Sequence, residues 1–252
     1  MNKKLHTPAK CFVKFSKCDN DSLIKLFCFH HAGGAASIFR PWIKDLPEKI
    51  ELYSLQLPGR QNRINEPPHK DLSKLIKETS EAILPYLDHK PFAFFGHSMG
   101  ALLCYELTRY LYNHYNLLPE KIFVSAFRAP HLPLNKVKVH NLLQKDFLEE
   151  LRVLNGTPDE LLNNIELMNI FGPTIRADFQ VCETYIYKVD KPLRCPIIAC
   201  GGLDDKQVSL NELRHWEQHS GSNFKIHMFN GDHFYIKSMQ KQLLDLIGAE
   251  LL

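Results

Sequence analysis

Pro91-Phe-Ala-Phe-Phe95 runs without a break into Gly96-His-Ser-Met-Gly100. The first five residues are continuously apolar, the pattern of a short strand buried on both faces. The next five match G-x-S-x-G, and an amphipathic helix is predicted after them, through about Leu111. A serine on such a strand-to-helix turn points its hydroxyl out at the top of the sheet, and glycines on both flanks let the backbone pack closely. The pentapeptide alone would also suit an ordinary Gly-rich turn. Its context, strand before and helix after, makes Ser98 the expected nucleophile.

Outward from this turn the chain alternates strand-like and helix-like segments. Upstream, Leu23 to Phe29 reads as a strand ending in Ala32-Gly-Gly34. A helix is predicted over Ala36 to Leu46, stopped by Pro47, and Ile50 to Leu55 is the next strand, closed by the Pro58-Gly59 turn. Asp71 caps a helix whose apolar face is Leu72, Leu75, Ile76, Thr79 and Ile83. Downstream, Lys121 to Ala126, Pro196 to Cys200 and Phe224 to Phe229 read as strands. Helices are predicted near Leu210 to His219 and over Tyr235 to Ile247. Apolar strands alternating with helices imply a mostly parallel sheet with helices on both faces. With the serine turn, this is the pattern of the α/β-hydrolase fold.

The stretch from about Leu134 to Lys188 breaks the rhythm, with helical patterns and no good strand. Leu143, Phe147, Leu151 and Leu154 fall on one helical face, and Asn155-Gly156 would cap its end. An all-helical insertion here is expected to form a lid over the active site. The plainer alternative is extra core helices. Residues 1–252 thus read as a single α/β-hydrolase domain with a helical lid insertion at about 134–188.

Composition narrows the function classes. Apolar residues make up 44% of the 252 and charged ones 23%, an ordinary globular balance. The net charge of +3 is too small to imply nucleic acid but permits docking of an acidic partner. The seven cysteines, at positions 11, 18, 28, 104, 182, 195 and 200, show no CxxC and no Cys/His metal spacing. They read as reduced, mostly buried thiols of a cytoplasmic protein. The basic N-terminus, Met1 to Pro8, has no apolar stretch behind it and is not a secretory signal. No apolar run reaches the roughly eighteen residues of a membrane span.

A serine hydroxyl needs a base to take its proton. In this fold the order along the chain is Ser, acid, His. His233, in the polar turn Asn230-Gly-Asp-His-Phe234 after the last strand, is the expected base. His215 and His219 fall on a predicted surface helix and His227 lies inside a strand, while His30 and His31 read as strand-end residues. The acid should follow the preceding strand, where Gly201-Gly-Leu-Asp-Asp205 offers both Asp204 and Asp205. For the oxyanion, the backbone N–H of Met99 is one donor, and the loop His31-Ala-Gly-Gly34 supplies the other, assigned to the Ala32 amide.

Together these residues resemble the thioesterase family of nonribosomal-peptide and polyketide synthesis, specifically its free-standing type II members. The match is carried by His31-Ala-Gly-Gly34, Leu57-Pro-Gly-Arg-Gln61, Phe95-Gly-His-Ser-Met-Gly100, Arg128-Ala-Pro130, Arg176-Ala-Asp-Phe179 with Glu183-Thr-Tyr185, and Gly231-Asp-His-Phe234. The vertebrate medium-chain acyl-carrier hydrolase is similar too. The family pattern Gly-x-x-Asp, with a hydrophobic residue three positions after the Asp, selects Asp205, set between Gly202 and Val208. Two departures are visible. Lys206 stands where many members have Pro, and Asp232 stands where many have Gly, next to His233. The resemblance implies hydrolysis of acyl thioesters on the phosphopantetheine arm of a carrier protein, with no metal or cofactor. It assigns Ser98, Asp205 and His233 as the triad and matches residues 134–188 to a lid over an acyl pocket. The expected partner is the acylated carrier protein. No nucleic acid or membrane is involved, and the enzyme is expected to act as a monomer.

Three rival readings stand beside this one. A release enzyme that sets fatty-acid chain length would show a sharp acyl-length profile. A lipase or carboxylesterase would turn over oxygen esters faster than thioesters. A non-catalytic binding module on a hydrolase scaffold would leave Ser98 unreactive toward fluorophosphonates, and the retention of Ser, Asp and His in order argues against it.

Overall fold

The structure, a computed structural model, describes residues 11–15, 22–134 and 137–252. The expectations for Met1 to Pro8 and for Cys18 lie outside these residues. Among these residues seven strands form one sheet: β1 (Phe12–Lys14), β2 (Ile24–Phe29), β3 (Ile50–Leu55), β4 (Phe92–His97), β5 (Lys121–Ser125), β6 (Ile197–Gly202) and β7 (Phe224–Phe229). Their order is β1-β3-β2-β4-β5-β6-β7. Only β1 runs antiparallel, against β3; every other pairing is parallel.

Side chains alternate along the strands and feed two cores. Phe27, Phe29, Phe92 and Phe94 pack with α1 (Leu72–Ile83) and α2 (Met99–Tyr115) on one face. Leu26, Cys28, Ala93 and Phe95 face the other way. They pack with Phe39 and Trp42 and with Leu243, Leu244 and Ile247 near the C-terminus. Each fully buried Leu or Phe contributes about 1.5–3 kcal/mol relative to exposure. A sheet covered on both faces by apolar helix stripes is the α/β-hydrolase arrangement the alternation predicts. The Asp71 carboxylate caps α1 by accepting the Lys74 N–H at 2.8 Å, as its position implies.

Between β5 and β6 the described residues hold helices and no strand. They form a 3-10 turn (Val139–Asn141), α3 (Gln144–Leu154), α4 (Asp159–Leu162) and α5 (Ile165–Glu183). These helices share a small core of their own, built on Val139, Phe147, Leu151, Leu162, Met168 and Ile175. Asn155 ends α3 in the left-handed conformation at φ 54°. Leu143 departs from expectation. It precedes α3 and is 78% exposed, so the buried stripe of the helix is Phe147 and Leu151 alone.

Three predicted helices differ in form. The segment Ala36–Lys44 is 3-10 rather than α, with Pro41 inside it removing a donor. The expected helix at 210–219 is α6 (Leu210–Arg214) followed by a 3-10 turn (His215–His219). The last helix breaks at Met239 into α7 (Tyr235–Ser238) and α8 (Gln240–Leu251). β1 was not legible as a strand, since Phe12 is its one buried side chain.

Candidate active site

The loops that leave β2, β4, β6 and β7 all open at the carboxyl ends of parallel strands, where open α/β sheets bind ligands. Ser98 follows β4 directly and adopts φ 55°, ψ −119°. Close packing forces this turn. A Cβ on Gly96 would lie 2.0 Å from the Gly100 carbonyl oxygen, and one on Gly100 would lie 2.0 Å from the Phe29 oxygen. Ser98 N–H donates to the Ser125 carbonyl at 2.7 Å. Its hydroxyl makes no capping bond to α2 and is left to the cavity side. Met99 is the first residue of α2, whose opening N–H groups have no intrahelical acceptor.

Asp205 and His233 meet across the loops after β6 and β7. His233 Nδ1 lies 2.9 Å from Asp205 Oδ2. The other carboxylate oxygen, Oδ1, accepts the N–H of Gln207 at 2.7 Å and of Val208 at 3.2 Å. The Asp205 side chain is fully shielded from solvent, and that of His233 is 8% exposed. Asp204 turns outward instead, with only its backbone N–H engaged, to Gly231 O at 2.9 Å. The two loops approach so closely that a Cβ on Gly202 would lie 2.3 Å from the Asp232 oxygen. The Asp232 carboxylate folds back on its own turn and accepts the Phe234 N–H at 2.8 Å.

Ser98, His233 and Ala32 line one cavity of about 190 Å³. Val139, Leu154 and Phe179 of the helical segment line it as well. A smaller recess of about 40 Å³ opens from the same Ser98, His233 and Ala32 toward Leu151 and Phe234. A larger groove of about 580 Å³ runs along α1, α2 and the end of α5 without touching Ser98. The chemistry converges on the smaller cavity, which therefore defines the candidate site. Among the described residues no group of three or more His, Cys, Asp or Glu is placed to hold a metal ion.

Two further histidines surround the base. His97 Nδ1 pairs with Ser125 Oγ at 2.9 Å, and its ring lies 5.4 Å from that of His233. Burial first, then the nearby His233, pushes His31 down to about 3 and His97 well below the ordinary imidazole range. Both stay neutral at pH 7 and add no fixed positive charge beside the base. Sequence reading gave His97 no role, because it occupies a free position of G-x-S-x-G. His219 also differs from expectation. It is buried rather than on the surface, with Tyr105 Oη at 3.0 Å and His131 Nδ1 at 2.6 Å. Arg128, Gln207 and Glu212 add polar lining to the cavity that no spacing rule had indicated.

The sequence profile of the thioesterase domain matches residues 24–251. The chain is 44% identical to linear gramicidin dehydrogenase LgrE of Brevibacillus parabrevis, over 98% of this chain and 95% of that protein. It is 41% identical to gramicidin S biosynthesis protein GrsT of Aneurinibacillus migulanus, over 96% of this chain and 94% of the relative. Among solved structures it resembles the type II thioesterase BorB from the borrelidin biosynthetic cluster. The TM-score is 0.87 at 34% identity, covering 97% of this chain and 98% of that one.

Proposed function

The chain belongs to the thioesterase family, and from that membership we propose that it is a stand-alone, type II thioesterase of nonribosomal-peptide or polyketide synthesis. Its substrates are acyl thioesters on the phosphopantetheine arms of carrier proteins. The observation that carries the reading is the convergence of Ser98 with the hydrogen-bonded Asp205–His233 pair on one cavity.

Each group then has a role. Ser98 Oγ attacks the thioester carbonyl while His233 takes its proton. Asp205 fixes the imidazole through Nδ1 and stabilises its protonated form. The Ala32 and Met99 amides donate to the oxygen as it becomes negative. The tetrahedral adduct collapses, the C–S bond breaks, and the pantetheine sulfur leaves with the proton from His233. Water, deprotonated by His233, attacks the acyl-serine and releases the acid, and Ser98 recovers its proton. No metal or cofactor enters the scheme. The helices between β5 and β6 act as a lid, a role supported by Val139, Leu154 and Phe179 lining the cavity together with Ser98. The oxidoreductase name of LgrE does not transfer. The Rossmann dinucleotide fingerprint is G-x-G-x-x-G, and no two glycines of this chain stand two apart.

The reading is tested by presenting one acyl chain on a carrier protein, on N-acetylcysteamine and on p-nitrophenol. Docking contacts that tighten as the arm reaches Ser98 raise kcat, so kcat/KM on the carrier should exceed the small thioester by at least about tenfold. Equal values would remove the carrier role. A glyceryl ester of the same chain is added as a fourth substrate, and a dominant rate on it would move the protein to the lipases.

A further inference from the structure

Leu57-Pro-Gly-Arg-Gln61 and Arg176-Ala-Asp-Phe179 stand far apart in sequence and contribute nothing to the triad, yet they meet beside it. Asp178 on α5 is 3% exposed. Its Oδ2 accepts the Gly33 N–H at 2.8 Å and the Arg60 Nη2 at 2.5 Å. Arg60 is buried as well and also donates Nη1 to the Pro58 carbonyl at 3.1 Å. The Arg60 carbonyl accepts Gln56 Nε2 at 3.0 Å, and Gln56 Oε1 accepts the Ala36 N–H at 2.8 Å. The loop after β2 is thus held at Gly33 by Asp178 and at Ala36 by Gln56, with Arg60 joined to both holders.

The fit leaves little slack. Gly33 sits at φ 77°, and a Cβ there would lie 3.2 Å from Ile175 of α5. Thr174 Oγ1 from the same helix donates to Gly59 O at 2.9 Å. A buried ion pair is a poor source of net stability, since desolvation offsets most of its Coulombic gain. An oxyanion donor, by contrast, works only when it is already aimed before reaction. Gly33 follows Ala32, and holding the Ala32–Gly33 peptide sets the direction of the Ala32 N–H across one Cα.

We infer that Asp178, held by Arg60, is a positioning residue that fixes the oxyanion loop through the Gly33 N–H and so aims the Ala32 amide at the reacting carbonyl oxygen. The inference rests on the serine thioesterase reading given above. It also ties the seat of α5, part of the helical segment over the cavity, to the geometry of the chemical step.

The test compares wild type with Asp178→Leu, which keeps the bulk but removes the oxygen on which the Gly33 and Arg60 donors converge. Four quantities are read: kcat, KM, the affinity of an alkyl boronic acid, which forms a tetrahedral anion on Ser98, and the affinity of the matching carboxylic acid product. kcat should fall on the order of 10²-fold, the scale of losing one oxyanion donor. KM should stay within about threefold, the mark of an interaction made only in the transition state. Boronate affinity should fall alongside kcat while product affinity holds. If Asp178→Leu does not fold, the Arg60 pair decides: Arg60→Lys, which keeps a cation on Asp178, should retain more kcat than Arg60→Met. The inference is overturned by a folded Asp178→Leu whose kcat lies within about threefold of wild type. It is also overturned if boronate and product affinities fall together, or if Arg60→Lys and Arg60→Met are equal. Ser98→Ala in the same series separates the two levels. If it turns over like wild type, the serine mechanism itself fails and the inference goes with it. If Ser98→Ala is inactive and Asp178→Leu is not impaired, only the inference fails.

Discussion

Ser98 is held at φ 55°, a backbone region that costs a side-chain-bearing residue about 1–3 kcal/mol. Only a surrounding that over-determines the turn keeps it there, and Gly96 and Gly100 permit the close approach that does so. Alanine accepts the same backbone, so Ser98→Ala should fold normally and lose at least about a thousandfold in kcat. Retention of more than about a tenth of wild-type turnover in pure protein would remove Ser98 from the mechanism. The aspartates make a sharper test. Asp205→Asn should cost on the order of 10³–10⁴-fold by misplacing the His233 tautomer, and Asp204→Asn very little. The reverse ranking in kcat would mean that the acid is Asp204. The spacing that selected Asp205 in the sequence has a physical origin. Its Oδ1 accepts the Gln207 and Val208 amides, and buried Val208 anchors the tight turn they form. His97 and His31 carried no such sign. Their neutrality comes from burial against each other and His233, which no local spacing encodes.

At the scale of elements, the strands were the most legible, because β2, β4, β5 and β6 are short apolar runs buried throughout their length or nearly so. β7 was read from its flanking turns as much as its pattern, since most of its residues are half-buried. Helix type was less legible. The 3-10 form of Ala36–Lys44 and the break at Met239 depend on how each segment seats against the sheet, and both segments still bury apolar side chains in the core. The helical segment between β5 and β6 was visible as a change of period, but its separate core was not. That core predicts local stability. Leu151 is 2% exposed and packs among Phe147, Leu162 and Met168. Leu151→Ala should cost about 2–5 kcal/mol, taken mainly from α3 to α5. Hydrogen exchange should accelerate in these helices while β4 and β5 stay protected. Uniform acceleration across segment and sheet would show that the segment is an integral part of the main core.

Across the whole molecule, the sequence reading captured what runs in chain order and lost what depends on contacts between distant loops. His219 was placed on a surface helix by its neighbours in sequence, yet Tyr105 and His131 bury it from other parts of the fold. Together with His30, His31 and His97 it makes a set of histidines that burial holds neutral. The set has a consequence for acid stability. In the folded state His31 is pushed down to about 3 and His219 to about 4, while His30 and His97 lie well below 6.5. In the unfolded chain all of them titrate near 6.5. Below that value the unfolded chain binds more protons than the folded one, so acid favours unfolding. Their contribution is fully present above about pH 6.5 and is lost as pH falls from there toward the folded values. An imidazole whose folded value lies below the window gives up about 1.4 kcal/mol per pH unit in it, as His31 does between pH 6 and 5, and His30 and His97 act in the same direction. Urea unfolding at closely spaced pH values measures this slope. His97→Asn replaces the ring with a neutral amide able to face Ser125 Oγ, now 2.9 Å from His97 Nδ1. Its slope should be shallower than that of wild type, because one imidazole that stays neutral in the fold no longer takes up a proton on unfolding. A wild-type stability that is flat between these pH values, or an unchanged slope in His97→Asn, would mean that the histidines take up protons without leaving the fold.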